Sequence, residues 1–492
     1  MADPEPQGRS RTLIAGVDCS TQSTKVVVVD AETGAIVATG RAEHTVTGTA
    51  GARETDPVVW WEALRSALRQ TGLSNRIAAI GIAGQQHGLV CLDASGKPLR
   101  PAILWNDTRS ATDAVALSEA MGGPTVWAAR IGVVPVASFT ASKWAWVRRR
   151  EPDVAAATAA IRLPHDYLTE RLTGNGTTDR GDASGTGWWS TETESYSADV
   201  LELRALQLSQ SMLPSVLRPT ECAGTVTTAA AEATGLPVGA VVAPGTGDNM
   251  GAALGLGLAP GAPVLSLGTS GTAYLVSTAR TNDPSGDVAG FADATGRFLP
   301  LACTLNCTLA VDRSAAWLGL DRDDVAPSDG VVVLPYFDGE RTPNLPDASG
   351  AILGLRHGTD RRSILMATYE GAVVGLLDAL ESIDRCSSGV DPQAALFLIG
   401  GGARSQTWRR VIQRLAGRPI AVPKATELVA LGAAVQAAAT LENADPLSVA
   451  GRWHTSEGTM LEPMARDIET IARHRGVRDL ALDALQVRRR AR

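Results

Sequence analysis

A chain of 492 residues that is 44% hydrophobic and 20% charged has apolar content enough for two or three packed domains and too much for a disordered chain. Its 45 Lys and Arg against 52 Asp and Glu leave a formal charge of −7, without the basic excess by which a protein grips nucleic acid. Six cysteines are scattered with no Cys-x-x-Cys pair, which argues against structural zinc or a disulfide framework and leads us to expect a reducing cytoplasm. Residues 1–12 are polar, with Pro4, Pro6, Arg9 and Arg11 and no apolar secretion signal, and are expected to form a disordered tail. Apolar runs such as 26–29 and 394–399 are far shorter than the roughly 20 residues that span a bilayer, so no membrane partner is expected.

In chain order, 13–17 and 25–30 read as β-strands joined by the turn Asp18-Cys19-Ser20-Thr21-Gln22-Ser23-Thr24, a hairpin lined with hydroxyls. Residues 59–68 have helical periodicity, and 77–83 form a buried strand ending at Gly84-Gln85-Gln86-His87-Gly88. Helices are expected over 111–121, 142–150 and 164–173. A strand at 240–243 leads through Pro244-Gly245-Thr246-Gly247-Asp248-Asn249 into a small-residue helix from Met250. The strands 263–267 and 272–276, around Gly268-Thr269-Ser270-Gly271, repeat the opening pattern, so the domain boundary falls within 255–263 and a weak internal duplication is suggested. A strand at 394–399, the turn Gly400-Gly401-Gly402-Ala403, a helix capped by Ser405 and a strand at 419–422 then indicate parallel α/β pairing. The last 25 residues read as a basic helix with a solvated charged face.

Three of these turns, around Asp18, Gly268 and Gly400, follow buried strands, where backbone N–H groups can face phosphate oxygens. The Gly-x-x-x-x-Gly-Lys-Ser/Thr loop is absent, so phosphate would be held by amides, hydroxyls and a metal ion. Asp18 ends a buried strand, where a carboxylate needs a partner: a magnesium-bound water, or its own turn. Asp248 stands among Gly245, Gly247 and Gly251 at a helix start, either as a cap or as a base for phosphoryl transfer. The helix dipole favours its ionised form, so burial alone is not expected to raise its pKa. Gln86 beside His87, and Trp105 beside Asn106, Asp107 and Arg109, offer polyol-binding chemistry, but also read as a structural histidine and an ordinary loop.

These segments, in this order from about residue 13 to 441, resemble the FGGY carbohydrate kinases: Gly16-Val17-Asp18-Cys19-Ser20-Thr21, Gly84-Gln85-Gln86-His87-Gly88, Leu104-Trp105-Asn106-Asp107-Thr108-Arg109, Pro244-Gly245-Thr246-Gly247-Asp248-Asn249, Leu267-Gly268-Thr269-Ser270-Gly271 and Gly400-Gly401-Gly402-Ala403-Arg404-Ser405. Gly339-Glu340-Arg341-Thr342-Pro343 is similar to the branch that acts on D-xylulose. The resemblance implies an α/β chain of two ribonuclease-H-like (actin-like ATPase) domains with an interdomain cleft. Sugar would bind to 13–255 and ATP to 256–480, with 481–492 a basic tail.

Carried onto this sequence, the resemblance makes Asp248 the base, with Gln86, His87, Trp105, Asn106, Asp107 and Asn249 on the sugar side. Asp18 would lie by the phosphates and Mg2+, with Ser20, Thr21, Lys25, Gly268, Thr269 and Ser270 around the ATP phosphates, and Gly401, Gly402 and Ser405 around adenosine. D-Xylulose is the expected acceptor. Another ketose or polyol (ribulose, xylitol, arabinitol or glycerol) is the near alternative, and an actin-like structural or chaperone ATPase the distant one. A homodimer is a family-level expectation.

Overall fold

The computed structural model describes residues 11–345, 347–387 and 389–486; the tail up to residue 10 and the end of the basic tail lie outside the described residues. Strand Leu13–Cys19 is buried along its whole length, as an apolar run covered on both faces must be. It pairs antiparallel with Ser23–Asp30 and parallel with Ile77–Gly84, setting Asp18 opposite Ala83 and Cys19 opposite Gly84. On the far side of Ile77–Gly84, Thr246 pairs parallel with Ala83 and Gly247 with Gly84. Three strands therefore end on one rim, and the residues that follow them, Ser20, Gln85 and Asp248, leave the sheet together. Crevices beyond the carboxyl ends of parallel strands are where open α/β sheets bind ligands.

The second sheet repeats the first. Val264–Leu267 pairs antiparallel with Gly271–Tyr274, which pairs antiparallel with Phe298–Thr304, as Leu13–Cys19, Ser23–Asp30 and Ile36–Glu43 do in the first sheet. Leu396–Ile399 and then Ile420–Pro423 add parallel strands, and Gly458–Leu461 closes the edge antiparallel. Ile77–Gly84, Val241–Val242 and Gly224–Thr225 hold the equivalent places in the first sheet. The duplication suggested by two turns thus extends over whole sheets.

The halves on either side of 255–263 are tied together by a helix of the second that packs on the first. Helix Leu428–Glu442, which follows the second sheet's parallel strands, packs on the first sheet and against helix Asp248–Gly255. Its approach is close enough to require glycine: a Cβ on Gly16 would lie 1.8 Å from Ala430 O, and one on Gly432 1.9 Å from Gly251 O. The two helices lie between the sheets, joining the halves through an apolar contact.

One expectation is corrected in part. In the C-terminal helix Ile468–Gln486 the described charged residues do not all lie on a solvated face: Arg475 and Arg478 pair with Asp378, and Arg475 also with Glu381, on helix Arg361–Ser387, while Ile471 and His474 are buried. Opposite charges on the facing helix turn a basic run into a docking face. Helix Arg361–Ser387 is itself long and apolar enough to cross a membrane by length and composition, but 78% of its apolar window is buried inside the protein.

Candidate active site

Asp248 is the first residue of its helix, after the N-cap Gly247, so capping does not occupy its carboxylate. Oδ1 accepts from the backbone N–H and the Nδ2 of Asn249, each at 2.8 Å, and the same Nδ2 donates to Gln86 Oε1 at 3.2 Å. Three of the residues singled out in the sequence therefore form one hydrogen-bonded chain, with Asp248 and Asn249 only partly buried at the rim. Burial pushes the Asp248 carboxyl up to about 7, helped by the charges of Asp18 and Asp182 and opposed by the bonds from Asn249. The expectation that the helix dipole would hold it down fails. A helix end is worth up to about 2 kcal/mol, about 1.5 pH units, whereas desolvation and like charge together shift a carboxylate by more.

His87 adopts φ 65°. Its carbonyl accepts from Lys143 Nζ at 2.7 Å and Thr140 Oγ1 at 3.2 Å, and its Nδ1 meets Gly185 O at 2.8 Å. Against a carbonyl, Nδ1 must carry the proton. Burial, then the charge of Lys143, hold the imidazole well below its usual pKa, so Nε2 is a neutral acceptor suited to a sugar hydroxyl. The ring packs against Phe139 and Phe291, with centroids at 4.9 and 5.6 Å. Lys143 thus sets the conformation of a pocket residue; its burial holds it down to about 7, against the pull of Asp107 and Asp182.

Gln86 Nε2 and Asn106 Oδ1 are buried without a hydrogen-bond partner among the described residues, and such groups call for a polar ligand or water. Trp105 Nε1 donates to Thr21 Oγ1 at 3.0 Å, tying the sugar-side segment to the phosphate-side turn. Asp107 does not join the chain at Asp248. Its oxygens accept from Arg109 and from Arg53 N, and Arg109 lies over the Trp146 ring, so Asp107 braces the segment from behind.

On the phosphate side, Asp18 Oδ1 accepts from Ser20 Oγ at 2.5 Å, and Oδ2 lies 3.6 Å from Lys25 Nζ. Lys25 reaches across to Glu427 Oε2 at 2.9 Å. Burial raises the Asp18 pKa despite these partners. Gly268 O accepts from Thr308 N and Oγ1, which fixes that turn and leaves Thr269 exposed and Ser270 partly so. Gly400 has φ +84°, and a Cβ there would lie 2.8 Å from Leu267 O; one on Gly402 would lie 2.7 Å from Leu267 Cβ. Gly401 faces open space. The Ser405 hydroxyl caps its helix at Trp408 N and donates to Asp323. Among the described residues no group of three metal-ligating side chains forms. A lone carboxylate suits Mg2+, which keeps most of its waters and takes its other ligands from phosphate oxygens.

Residues 13–255 match the N-terminal domain and residues 264–441 the C-terminal domain of the FGGY family of carbohydrate kinases. The chain belongs to that family. The xylulose kinase of Streptomyces rubiginosus is 58% identical over 468 residues, 94% of this chain and 95% of that one. That of Streptomyces coelicolor is 57% identical over the same shares. The crystal structure of xylulose kinase from Bifidobacterium adolescentis superposes with a TM-score of 0.82 at 37% identity, covering 95% of this chain and 99% of that one. This FGGY kinase therefore has two actin-like α/β domains about a cleft, and ATP-dependent sugar kinase activity. Sequence reasoning missed what supports its site: Lys143 under His87, Phe139 and Phe291 against that ring, Glu427 on Lys25, and Asp182 near Asp248.

Proposed function

We propose that this FGGY kinase transfers the γ-phosphoryl group of ATP to the terminal hydroxyl of D-xylulose, giving D-xylulose 5-phosphate, with Asp248 as the base. The observation that carries the reading is the chain Gln86–Asn249–Asp248, which leaves one oxygen of a partly open carboxylate without a hydrogen-bond partner among the described residues, at the rim where three strands end. Asn249 fixes that carboxylate by two bonds to Oδ1, and Oδ2 takes the hydroxyl proton as the oxygen attacks phosphorus. A proton acceptor with a pKa near 7 is matched to this task at neutral pH.

His87 Nε2, Gln86 Nε2 and Asn106 orient the sugar by hydrogen bonds, while the hydroxyls of Ser20, Thr21 and Thr269 and the glycine turns at 268 and 400–402 face the nucleotide. Bound at Asp18, Mg2+ supplies charge neutralisation for the phosphates. Positioning and electrostatics are what phosphoryl transfer asks of a protein, and these residues supply both. The relatives named as xylulose kinases support the choice of acceptor.

ADP release across pentuloses, polyols and hexoses tests the acceptor, with D-xylulose expected to give the highest kcat/KM. The variant Asp248→Ala should lose at least about a hundredfold in kcat on that sugar, the lower end of what general bases contribute. Near-native turnover by the variant would refute the base, and a polyol that outperforms D-xylulose would refute the acceptor.

A further inference from the structure

His165 lies in the first turn of helix Pro164–Thr173 and is wholly buried. Its Nε2 is 3.3 Å from Asp166 Oδ1, 3.2 Å from Asp179 Oδ1 and 3.2 Å from Asp182 Oδ2. Buried carboxylates converging on one ring nitrogen need positive charge among them, since unpaired buried charge is strongly disfavoured. Asp166 and Asp179 have other donors: Leu163 N for the first, Gly181 N and Asp182 N for the second. Asp182 has no well-aligned hydrogen bond to either oxygen among the described residues, so it depends on His165 for compensation.

The cluster sits between the two working ends of the site. On one side, His165 Nδ1 faces the loop that carries the base: a Cβ on Gly245 would lie 2.5 Å from it. Gln436 Nε2 holds the Gly245 carbonyl at 2.9 Å. On the other side, Asp182 belongs to helix Arg180–Ser184, which ends at Gly185, and Gly185 O holds His87 Nδ1 at 2.8 Å. We propose that His165 is a positioning residue for phosphoryl transfer: as a buried imidazolium it joins helix Arg180–Ser184 to the base loop and balances the carboxylates that stand behind Asp248. The role rests on the reading of Asp248 as the base.

The charged surroundings give the sign. Asp248 is faced by Asp18 from the first strand, by Asp182 from helix Arg180–Ser184, and by Tyr274 and Cys303 from the second sheet, both held neutral by burial. Lys25 and Glu427 stand beyond Asp18. The cluster itself is flanked by Arg162 near Asp166 and Lys143 near Asp182. Burial opposes charge on His165, but Asp166, Asp179 and Asp182 together hold its pKa well above the usual value. Asp182, itself pushed up to about 7 by burial against the pull of His165, titrates together with Asp248, and without this cation the pair becomes harder to ionise.

The test is the pH dependence of kcat and kcat/KM for His165→Gln, His165→Lys and Asp182→Asn, with Asp248→Ala alongside. His165→Gln should move the acid limb up by about one pH unit, the lower end of what a nearby charge does to a carboxylate, and lower kcat at neutral pH more than it changes KM. His165→Lys should restore the midpoint, and Asp182→Asn should move it down. A purely architectural histidine would change the melting temperature and leave every midpoint in place, which would overturn the proposal. If His165→Gln does not fold, imidazole nitrogen NMR of the wild-type chain decides: His165 should keep both ring protons at neutral pH, and a ring neutral there would overturn the proposal. Full turnover by Asp248→Ala would instead bring down the base assignment, whereas an inactive Asp248→Ala with unmoved midpoints sinks the role of His165 alone.

Discussion

Asp248 shows how much of a residue's chemistry is set by others. Its pKa of about 7 against an ordinary 3.8 means the folded state holds the proton more tightly than the unfolded chain. The stability this lends is complete below about 3.8, fades as pH rises, and is lost above about 7, where the carboxylate must ionise beside Asp18 and Asp182. Asp248→Asn removes that burden. The variant is expected to melt at a higher temperature than wild type at pH above about 7, with the difference vanishing toward about pH 4, while its kinase activity is lost. Calorimetry across that range checks the sign: an equal or lower melting temperature at alkaline pH would show that the site does not strain this carboxylate. From the sequence, Asp248 was legible as a candidate because Gly245, Gly247 and the helix start are its neighbours in the chain. Its pKa was not, because Asp18 and Asp182 come from other elements. His165 was illegible for the same reason. Beside Asp166 it looks like an ordinary helix-start pair, and only folding brings Asp179 and Asp182 to the same nitrogen.

Among the elements, the strands and turns could be read because their signals are local. Apolar runs ending in glycine and hydroxyl residues gave both hairpins to within a few residues. Helix Leu428–Glu442 was different: it is rich in Ala and apolar on every side, a pattern that says buried but not against what. Its partner is written in glycines far away in the chain, at 16, 81, 251 and 255. Those contacts make a stability prediction. A Cβ on Gly432 meets the backbone oxygen of Gly251, an atom that cannot swing aside as a side chain would. Gly432→Val should therefore cost about 3 kcal/mol or more, at the upper end for overpacking, and appear as a lower urea midpoint. A variant within about 0.5 kcal/mol of wild type would mean the helices separate without penalty.

At the scale of the whole molecule, the reaction depends on parts held by different sheets. Asp18 and Asp248 lie on the rim of the first, and the turns at Gly268 and Gly400 on the second. Helix Leu428–Glu442, which follows the second sheet's parallel strands, packs against the base's own helix Asp248–Gly255 and so ties the second half to the base. The Lys25–Glu427 pair also crosses between halves, but with side chains about a third exposed it is worth at most about 1 kcal/mol and cannot hold the cleft shut by itself. A closure that draws on bound sugar would engage His87, Gln86 and Trp105, which line the first half of the site. Such a coupling would protect ATP, since water, the competing acceptor, would meet an assembled site only when the sugar had already excluded it. Hydrolysis of ATP without sugar should therefore run at least about a hundredfold slower than sugar-dependent ADP release, a gap set by closure and not by nucleotide affinity. Measuring both rates at saturating ATP separates the two. Equal rates would show that the domains come together on nucleotide alone, and that the sugar-side contacts do not govern closure.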